Sequence, residues 1–247
     1  MDTAFPWAHA FIDVPEEFVA ASTDFWAAAT GYDVGEPWRQ HREFTSLVPT
    51  AGSSYVHIQR IGEPPRVHLD FPSADLDADT ARLVALGATL AGPRGHWQTL
   101  ESPGGLPFCI VDETGPFTVP TSTAWSDGTR SRLCQICIDV PPSRHDAELE
   151  FWSAATGWQQ RASTNPEFHS LLPPSSSPLQ LLVQRLDDER DAVRAHIDLG
   201  CDDIDAEASR LTRFGASVVA RMADWVVLRD PAGLEFCATS RRPDGVT

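Results

Sequence analysis

The sequence contains no lysine, so all 19 of its Lys and Arg residues are arginines. This absence excludes mechanisms in which a lysine amine forms a Schiff base or contacts a phosphate. The sequence also lacks any apolar run of the roughly 18 to 20 residues that a membrane-spanning helix needs. Its N-terminus lacks the basic start and apolar core of a signal peptide. We therefore expect a soluble, cytoplasmic protein without a membrane partner.

Acidic residues far outnumber basic ones. The chain of 247 residues has 35 Asp and Glu against 19 Arg, which gives a formal net charge of -16 at pH 7. Such a surface would repel nucleic acids and anionic membranes, so neither is expected as a partner. The length suits two ordinary domains. Five cysteines without a signal peptide indicate free thiols rather than a disulfide framework.

The chain consists of two copies of one sequence pattern. The segment DFWAAATG at 24–31 returns as EFWSAATG at 150–157, and RVHLDF at 66–71 returns as RAHIDL at 194–199. Between the copies lies a stretch rich in Pro, Gly, Ser and Thr, which is typical of a linker. We therefore predict a first domain over residues 1–111, a linker over 112–131 and a second domain over 132–247.

Each copy is again double in its pattern of elements. In the first copy, an apolar strand at 9–14 precedes a helix over residues 16–30, which Gly31 ends. A strand at 66–71 and a helix with an acidic start at 75–79 restart the cycle. The pattern predicts a strand-helix-strand-strand unit, used twice per copy, that builds a curved sheet around a pocket.

Several motifs together resemble the vicinal oxygen chelate superfamily. They are a histidine on the first strand, FWxAATG, HxDx followed by LGA or FGA, and WxxLxxPxGxxFC. More narrowly, the chain resembles the glyoxalase-like (bleomycin-resistance-like) domains found in tandem in actinobacteria. The resemblance implies an α+β fold of two tandem glyoxalase-like domains, each made of paired βαβββ modules that form a half-open barrel. It does not assign one reaction, because the superfamily includes lyases, isomerases, dioxygenases and metal-free drug-binding proteins.

The resemblance also implies where a metal would bind. Metal-using members carry ligands on the first and last strands of their modules, and the matching positions here are His9, Gln59, His68 and Cys109 in the first copy and Gln135, Gln184, His196 and Cys237 in the second. The two cysteines stand where catalytic members have a carboxylate.

A carboxylate occurs two residues before the second cysteine, at Glu235, whereas the first copy has Pro107 there. Residues two apart on a strand share a face. We therefore predict a divalent metal site in the second copy, for zinc, nickel, manganese or iron. Its predicted ligands are Gln135, Gln184, His196 and Glu235.

His196, Glu235 and His68 are the predicted catalytic residues. Histidine titrates near pH 6.5 and so can serve as a ligand or a general base. The alternative is that both histidines only shape the pocket through hydrogen bonds to neighbouring elements. Asp70 and Asp198, two residues further along the same strands, would orient the imidazoles or cap an adjacent helix.

Two arginines and two tryptophans are the predicted substrate-binding residues. Arg66 and Arg194 precede the two histidines by two positions, so each would clamp an anionic substrate or bridge to a surface acid. Trp97 and Trp225 would wall the cavity or fill the core.

Two functions follow from these patterns. The first is a glyoxalase/bleomycin resistance/dioxygenase-like protein that binds a small molecule in a barrel pocket, as a divalent-metal-dependent lyase, isomerase or dioxygenase. The alternative is a metal-free protein that sequesters a small molecule or antibiotic. We expect either a monomer whose domains form a pseudo-dimer or a homodimer.

Overall fold

The computed structural model describes residues 4–244. The four α-helices of this part are Val19–Thr30 (α1), Leu76–Ala85 (α2), His145–Thr156 (α3) and Ile204–Arg213 (α4). Short 3-10 helices, Glu16–Phe18 and Pro142–Arg144, precede α1 and α3.

Strands make up most of the regular structure. Those of the first copy are His9–Pro15 (β1), Asp33–Val34 (β2), Phe44–Val48 (β3), Val56–Ile61 (β4), Arg66–Ser73 (β5), Thr89–Leu90 (β6), Trp97–Glu101 (β7) and Pro107–Asp112 (β8). The remaining strands are Thr123–Ala124 (β9), Arg130–Val140 (β10), Gln159–Ala162 (β11), Phe168–Leu172 (β12), Gln180–Arg185 (β13), Arg194–Cys201 (β14), Ser217–Arg221 (β15), Trp225–Arg229 (β16) and Glu235–Thr239 (β17).

The helix boundaries follow from local sequence signals. Gly31 ends α1 at φ 71° and Gly157 ends α3 at φ 69°, a left-handed conformation that glycine adopts without a side-chain penalty. The side chain of Asp75 accepts a hydrogen bond from the backbone N–H of Ala78 and so caps α2. Asp203 caps α4 through Ala206 in the same way. Each such cap stabilises its helix by about 1 kcal/mol.

The two sheets have the same strand order. The first is β2-β3-β4-β1-β5-β8-β7-β6, and the second is β11-β12-β13-β10-β14-β17-β16-β15, with β9 paired to β10. In each sheet the strand that carries the HxD motif runs parallel to the last strand of its copy. These findings confirm the predicted α+β class with two tandem sheet-dominated domains.

The described chain also divides into two compact units, which differ from the two sequence copies. One unit contains the chain up to Ala10, His68–Phe117 and Ile136–Ala195. The other contains Phe11–Val67, Thr118–Gln135 and the chain from His196 onward. Each unit thus combines the first module of one copy with the second module of the other. The domain bounds 1–111, 112–131 and 132–247 remain a prediction from the repeat.

Each unit has an aromatic core built on a helix tryptophan. In the first unit, Trp152 of α3 is fully buried and its ring centroid lies 5.1 Å from that of Phe108 on β8. In the second unit, Trp26 of α1 is fully buried and lies 5.0 Å from Phe236 on β17. The two FW motifs of the repeat therefore supply the corresponding core residues of both units.

Among residues 4–244, no helix is long and apolar enough to cross a membrane. None of the five cysteines forms a disulfide.

Candidate functional site

A histidine, an aspartate and a cysteine converge in the second copy. β14 pairs with β17 so that Asp198 lies opposite Cys237, and His196 precedes Asp198 by two residues on the same face of β14. His196 Nε2 lies 3.4 Å from Asp198 Oδ1 and 3.6 Å from Cys237 Sγ. The three potential ligand atoms all lie within 4.8 Å of one another.

The carboxylate of Asp198 is held firmly on one side only. Its Oδ2 accepts a short hydrogen bond from Nε2 of Gln135 on β10. Its Oδ1 is buried and accepts no hydrogen bond within residues 4–244, and it lies at ion-pair distance, 3.4 Å, from Nε2 of His196. Leaving a buried acceptor unsatisfied costs about 1–3 kcal/mol, and more for a charged group. A proton on Nε2 of His196 or a cation between the two groups would remove this cost.

The first copy repeats this arrangement on β5 and β8. Asp70 lies opposite Cys109 across the parallel strand pair, and His68 Nε2 lies 3.3 Å from Asp70 Oδ1. The Sγ atom of Cys109 lies 3.5 Å from Oγ1 of Thr99. Asp70 Oδ1 is buried and accepts no hydrogen bond within residues 4–244, and the imidazole of His68 lies beside it. All three members of this cluster are buried.

Only part of the predicted metal set comes together. Gln135 donates a hydrogen bond to Asp198 and so lies at the cluster of His196. Gln184 accepts a contact from Cys137 Sγ at 3.5 Å. Glu235 is exposed, and Arg229 donates to it at 2.7 Å. No group of ligand-type side chains found in the described chain includes Glu235, so its assignment to the metal stays a prediction.

The predicted first-copy ligands on β1 and β4 have other surroundings. His9 is buried, and its Nε2 lies 3.2 Å from Oε2 of Glu113, just after β8. Gln59 is half-buried on β4, opposite Phe44 of β3. Neither belongs to the cluster of His68, and their role as ligands stays a prediction.

The two predicted substrate arginines differ in their partners. Arg66 donates to the buried carboxylate of Asp13 at 2.9 Å and to Glu63 at 2.5 Å, as a bridging residue does. Arg194 is exposed at the start of β14 and has no ion-pair partner in the part of the chain that the structure describes. Of the two equivalent arginines, only Arg194 in the second copy therefore lacks an ion pair with an acidic residue of the described chain. Trp97 and Trp225 are half-buried at the starts of β7 and β16.

Two further cysteines lie outside these clusters. Burial raises the pKa of Cys201 to about 12 and also raises the pKa of Cys134. Both therefore remain protonated near neutral pH and act as small apolar side chains.

The sequence matches a family model twice. The model described as the glyoxalase-like domain matches residues 9–111 and again residues 135–239. The chain belongs to the glyoxalase-like domain family. No curated protein matches this glyoxalase-like chain in sequence.

Solved structures show the same fold at low sequence identity. The 2,3-dioxygenase LapB from Pseudomonas sp. KL28 superposes with a TM-score of 0.63 and 13% identity, over 96% of this chain and 92% of its own. A variant of homoprotocatechuate 2,3-dioxygenase from B. fuscum gives 0.63 and 11%, over 98% and 74%.

A fusion of a xylose isomerase-like TIM barrel with 4-hydroxyphenylpyruvate dioxygenase gives a TM-score of 0.61 and 15% identity. This chain is covered fully and spans 50% of that protein. At these identities the likeness shows that this glyoxalase-like protein shares their fold, and the chemistry has to be argued from its own residues.

The sequence predicted the surroundings of Asp70 and Asp198 less well than those of the other residues in the two clusters. The strand period placed each on the face of its histidine. It did not show that Asp198 Oδ1 and Cys237 Sγ would both lie beside Nε2 of His196. That geometry depends on the pairing of β14 with β17.

Proposed function

We propose that this glyoxalase-like protein binds a small molecule at the His196 cluster and acts on it as a divalent-metal-dependent lyase, isomerase or dioxygenase. The observation that carries the proposal is the convergence of His196 Nε2, Asp198 Oδ1 and Cys237 Sγ, whose potential ligand atoms all lie within 4.8 Å of one another. Buried clusters of titratable groups of this kind are typical of functional sites. The repeat of the arrangement around His68 supports a second, related site.

A divalent ion fits the chemistry of this cluster, since imidazole, carboxylate and thiolate are all metal ligands. Zinc, nickel, manganese and iron are the candidates. When bound, the ion would supply a Lewis acid that polarises a substrate oxygen. Gln135 and His196 belong to the proposed site because of their geometry. The assignment of Gln184 rests on the family resemblance and that of Glu235 on strand periodicity, and neither residue is part of the cluster proposed here.

The chain's own residues supply binding and proton transfer. His196 would accept or return a proton at Nε2, and Gln135 would fix the rotamer of Asp198 through its hydrogen bond. Arg194 leaves β14 on the same strand face as His196 and would pair with an anionic group of the substrate. Trp225 would supply an apolar wall.

We place the more competent site in the second copy. Arg66, the counterpart of Arg194, is already bound by Asp13 and Glu63. An anionic substrate would have to displace these acids in the first copy but not in the second. His68 would then serve as the base of a site with a different or weaker ligand.

Metal content and ligand binding test this proposal together. Protein purified without chelator is analysed for metal, and binding of homoprotocatechuate and 4-hydroxyphenylpyruvate is measured by calorimetry before and after chelation. We expect metal in the protein and metal-dependent binding of at least one compound, with both reduced in His196→Ala. The proposal fails if His196→Ala leaves metal content and binding unchanged.

A metal-free binding protein is the second candidate function. It is favoured by Cys109 and Cys237, which stand where catalytic relatives are expected to have a carboxylate. Such a protein would sequester a small molecule or antibiotic at the same cluster. Ligand binding that survives complete removal of metal would select this function over the first.

The proposed setting is the cytoplasm, without nucleic-acid or membrane partners, because the net charge of -16 repels both. We propose a monomer, in which the second copy replaces the partner that a single-domain relative would need. Sedimentation that shows a dimer at all concentrations would contradict the monomer and leave the homodimer.

A further inference from the structure

We infer that in each copy the metal-binding carboxylate has moved to the neighbouring strand, so that the ligand sets are His196, Asp198 and Cys237 and, equivalently, His68, Asp70 and Cys109. This differs from the set that the family resemblance implies, in which the carboxylate comes from the last strand. The inference depends on the proposed function only where a small-molecule ligand is concerned. The two metal ligand sets are argued from the geometry of the clusters.

The register of the parallel strands makes such a move feasible. Asp198 lies opposite Cys237, and Asp70 lies opposite Cys109. Neighbouring strands are about 4.8 Å apart, so side chains of facing residues reach the same space. A carboxylate on β14 can therefore reach the point that a carboxylate at position 237 of β17 would reach. Cys237 then serves as a third ligand. The exchange of a carboxylate for a cysteine at this position does not abolish the site.

The interatomic distances match the edges of a coordination tetrahedron. Zinc binds nitrogen and oxygen at about 2.0–2.2 Å and sulfur at about 2.3 Å, which gives N···O edges of about 3.4 Å and N···S edges of about 3.6 Å. The His196 Nε2 to Asp198 Oδ1 distance is 3.4 Å, and the Nε2 to Cys237 Sγ distance is 3.6 Å. In the first copy, His68 Nε2 lies 3.3 Å from Asp70 Oδ1.

The buried aspartate oxygens add a second observation. Asp198 is 3% exposed and Asp70 is 8% exposed, and Oδ1 of each accepts no hydrogen bond among residues 4–244, so a cation shared with the nearby imidazole would satisfy it. The oxygen is the same one that lies beside the imidazole in both copies. Gln135 holds the other oxygen of Asp198 and thereby turns Oδ1 towards the cluster.

A catalytic cysteine-histidine-aspartate relay does not fit this geometry. A relay needs the carboxylate on one imidazole nitrogen and the thiol on the other. Here Asp198 Oδ1 and Cys237 Sγ both lie beside Nε2 of His196. Three ligand types around one point fit a metal ion instead.

The donor set selects the kind of metal. One imidazole, one carboxylate and one thiolate favour zinc over a hard ion such as manganese. Three protein ligands leave the fourth position of a tetrahedral ion for water or substrate. Each cysteine would bind the ion as its thiolate.

Cobalt(II) is the probe for the test, because it occupies zinc sites and its thiolate bond absorbs in the near ultraviolet. Chelator-treated, full-length protein is titrated with CoCl₂ under reducing conditions. We expect about two equivalents to bind with a thiolate charge-transfer band. Cys237→Ser and Cys109→Ser should each remove about half of that band, and Asp198→Asn should lower the stoichiometry to about one.

Two further variants separate the alternatives. Cys201→Ser alters a buried thiol outside the clusters and should leave the spectrum unchanged. Glu235→Gln should also bind two equivalents. The inference is overturned if the band persists in the double variant Cys109→Ser/Cys237→Ser, or if Glu235→Gln loses a site that Asp198→Asn keeps.

Asp70→Asn provides the same test in the other copy, should Asp198→Asn fail to fold by circular dichroism. Failure of the proposed function has a different signature. If neither organic compound binds while the cobalt-thiolate band is present, the metal set stands and the proposed small-molecule function falls. If the compounds bind in a metal-dependent manner but no thiolate band is present, the proposed function stands and the inferred ligand sets with cysteine are wrong.

Discussion

Asp198 lies opposite Cys237 across a pair of parallel strands, and both side chains reach the same nitrogen of one histidine. Asp70 lies opposite Cys109 in the other copy, and the two belong to one cluster with His68. The repeat makes each copy a control for the other.

Gln135 should act by positioning Asp198. Gln135→Leu keeps the size of the side chain but removes the hydrogen bond to Oδ2. We expect metal affinity at the second copy to fall about 10- to 100-fold, as it does when a residue that orients a ligand is lost. Competition with a chromogenic chelator measures the affinity. Unchanged affinity at both sites would contradict this role.

The two arginines should give opposite phenotypes. Arg194→Gln should weaken binding of an anionic ligand by roughly 10- to 100-fold, the value of a charged hydrogen bond, without loss of stability. Arg66→Gln removes the guanidinium from the buried carboxylate of Asp13 and should lower the free energy of unfolding by about 1–3 kcal/mol. Calorimetry and urea unfolding separate the two effects. Equal effects of both variants on binding would count against a special role for Arg194.

Glu148 should make stability depend on pH. Burial raises its pKa above the ordinary value of 4.5, although the N–H groups of Gly104 and Trp152 that donate to it act in the opposite direction. Its stabilising contribution is therefore complete below pH 4.5 and is lost as the pH rises through the raised value.

Relative to Glu148→Gln, the wild-type protein should lose free energy of unfolding above pH 4.5, by at most about 1.4 kcal/mol per pH unit. Urea unfolding at several pH values measures the difference. A difference between the two proteins that does not change with pH would refute the proton linkage.

Trp152 should be among the most costly core residues to truncate. It is fully buried against Phe108, and its indole N–H donates to Glu148 at 2.8 Å. Trp152→Ala should reduce the free energy of unfolding by about 3–5 kcal/mol. Trp38→Ala is the matched control, because Trp38 is 37% exposed. Similar losses in both variants would contradict the assignment of Trp152 to the core.

Much of the fold could be predicted from the sequence because its signals are local. Gly31 and Gly157 end helices in the conformation that glycine favours, and the acidic segment after β5 starts α2 as expected. The short edge strands β2 and β6 were not predicted. Each has only two residues, too few to show a period of two.

The composition of the compact units could not be predicted from the repeat. A repeat shows which segments are equivalent but not which copy supplies the packing partner. Trp26 of the first copy packs against Phe236 of the second, although 210 positions separate them in sequence numbering. Such pairings are set by tertiary packing and leave no periodic signal.

The candidate site could be predicted only in part. His68 and His196 follow from their motif, and their clusters are present in the structure. The role of Asp198 depends on the register of β14 with β17, which a single sequence does not encode locally. Glu235 was chosen from strand periodicity alone, yet its carboxylate is bound by Arg229. Strand period fixes a face but not the partner that a side chain meets there.

X-ray absorption at the zinc K edge of the zinc-loaded protein tests the central claim most directly. We predict one sulfur scatterer per zinc at about 2.3 Å, together with nitrogen or oxygen scatterers at about 2.0–2.2 Å. Loss of the sulfur shell in Cys109→Ser/Cys237→Ser would identify its source. A zinc spectrum without sulfur in the wild-type protein would contradict the assignment of both clusters.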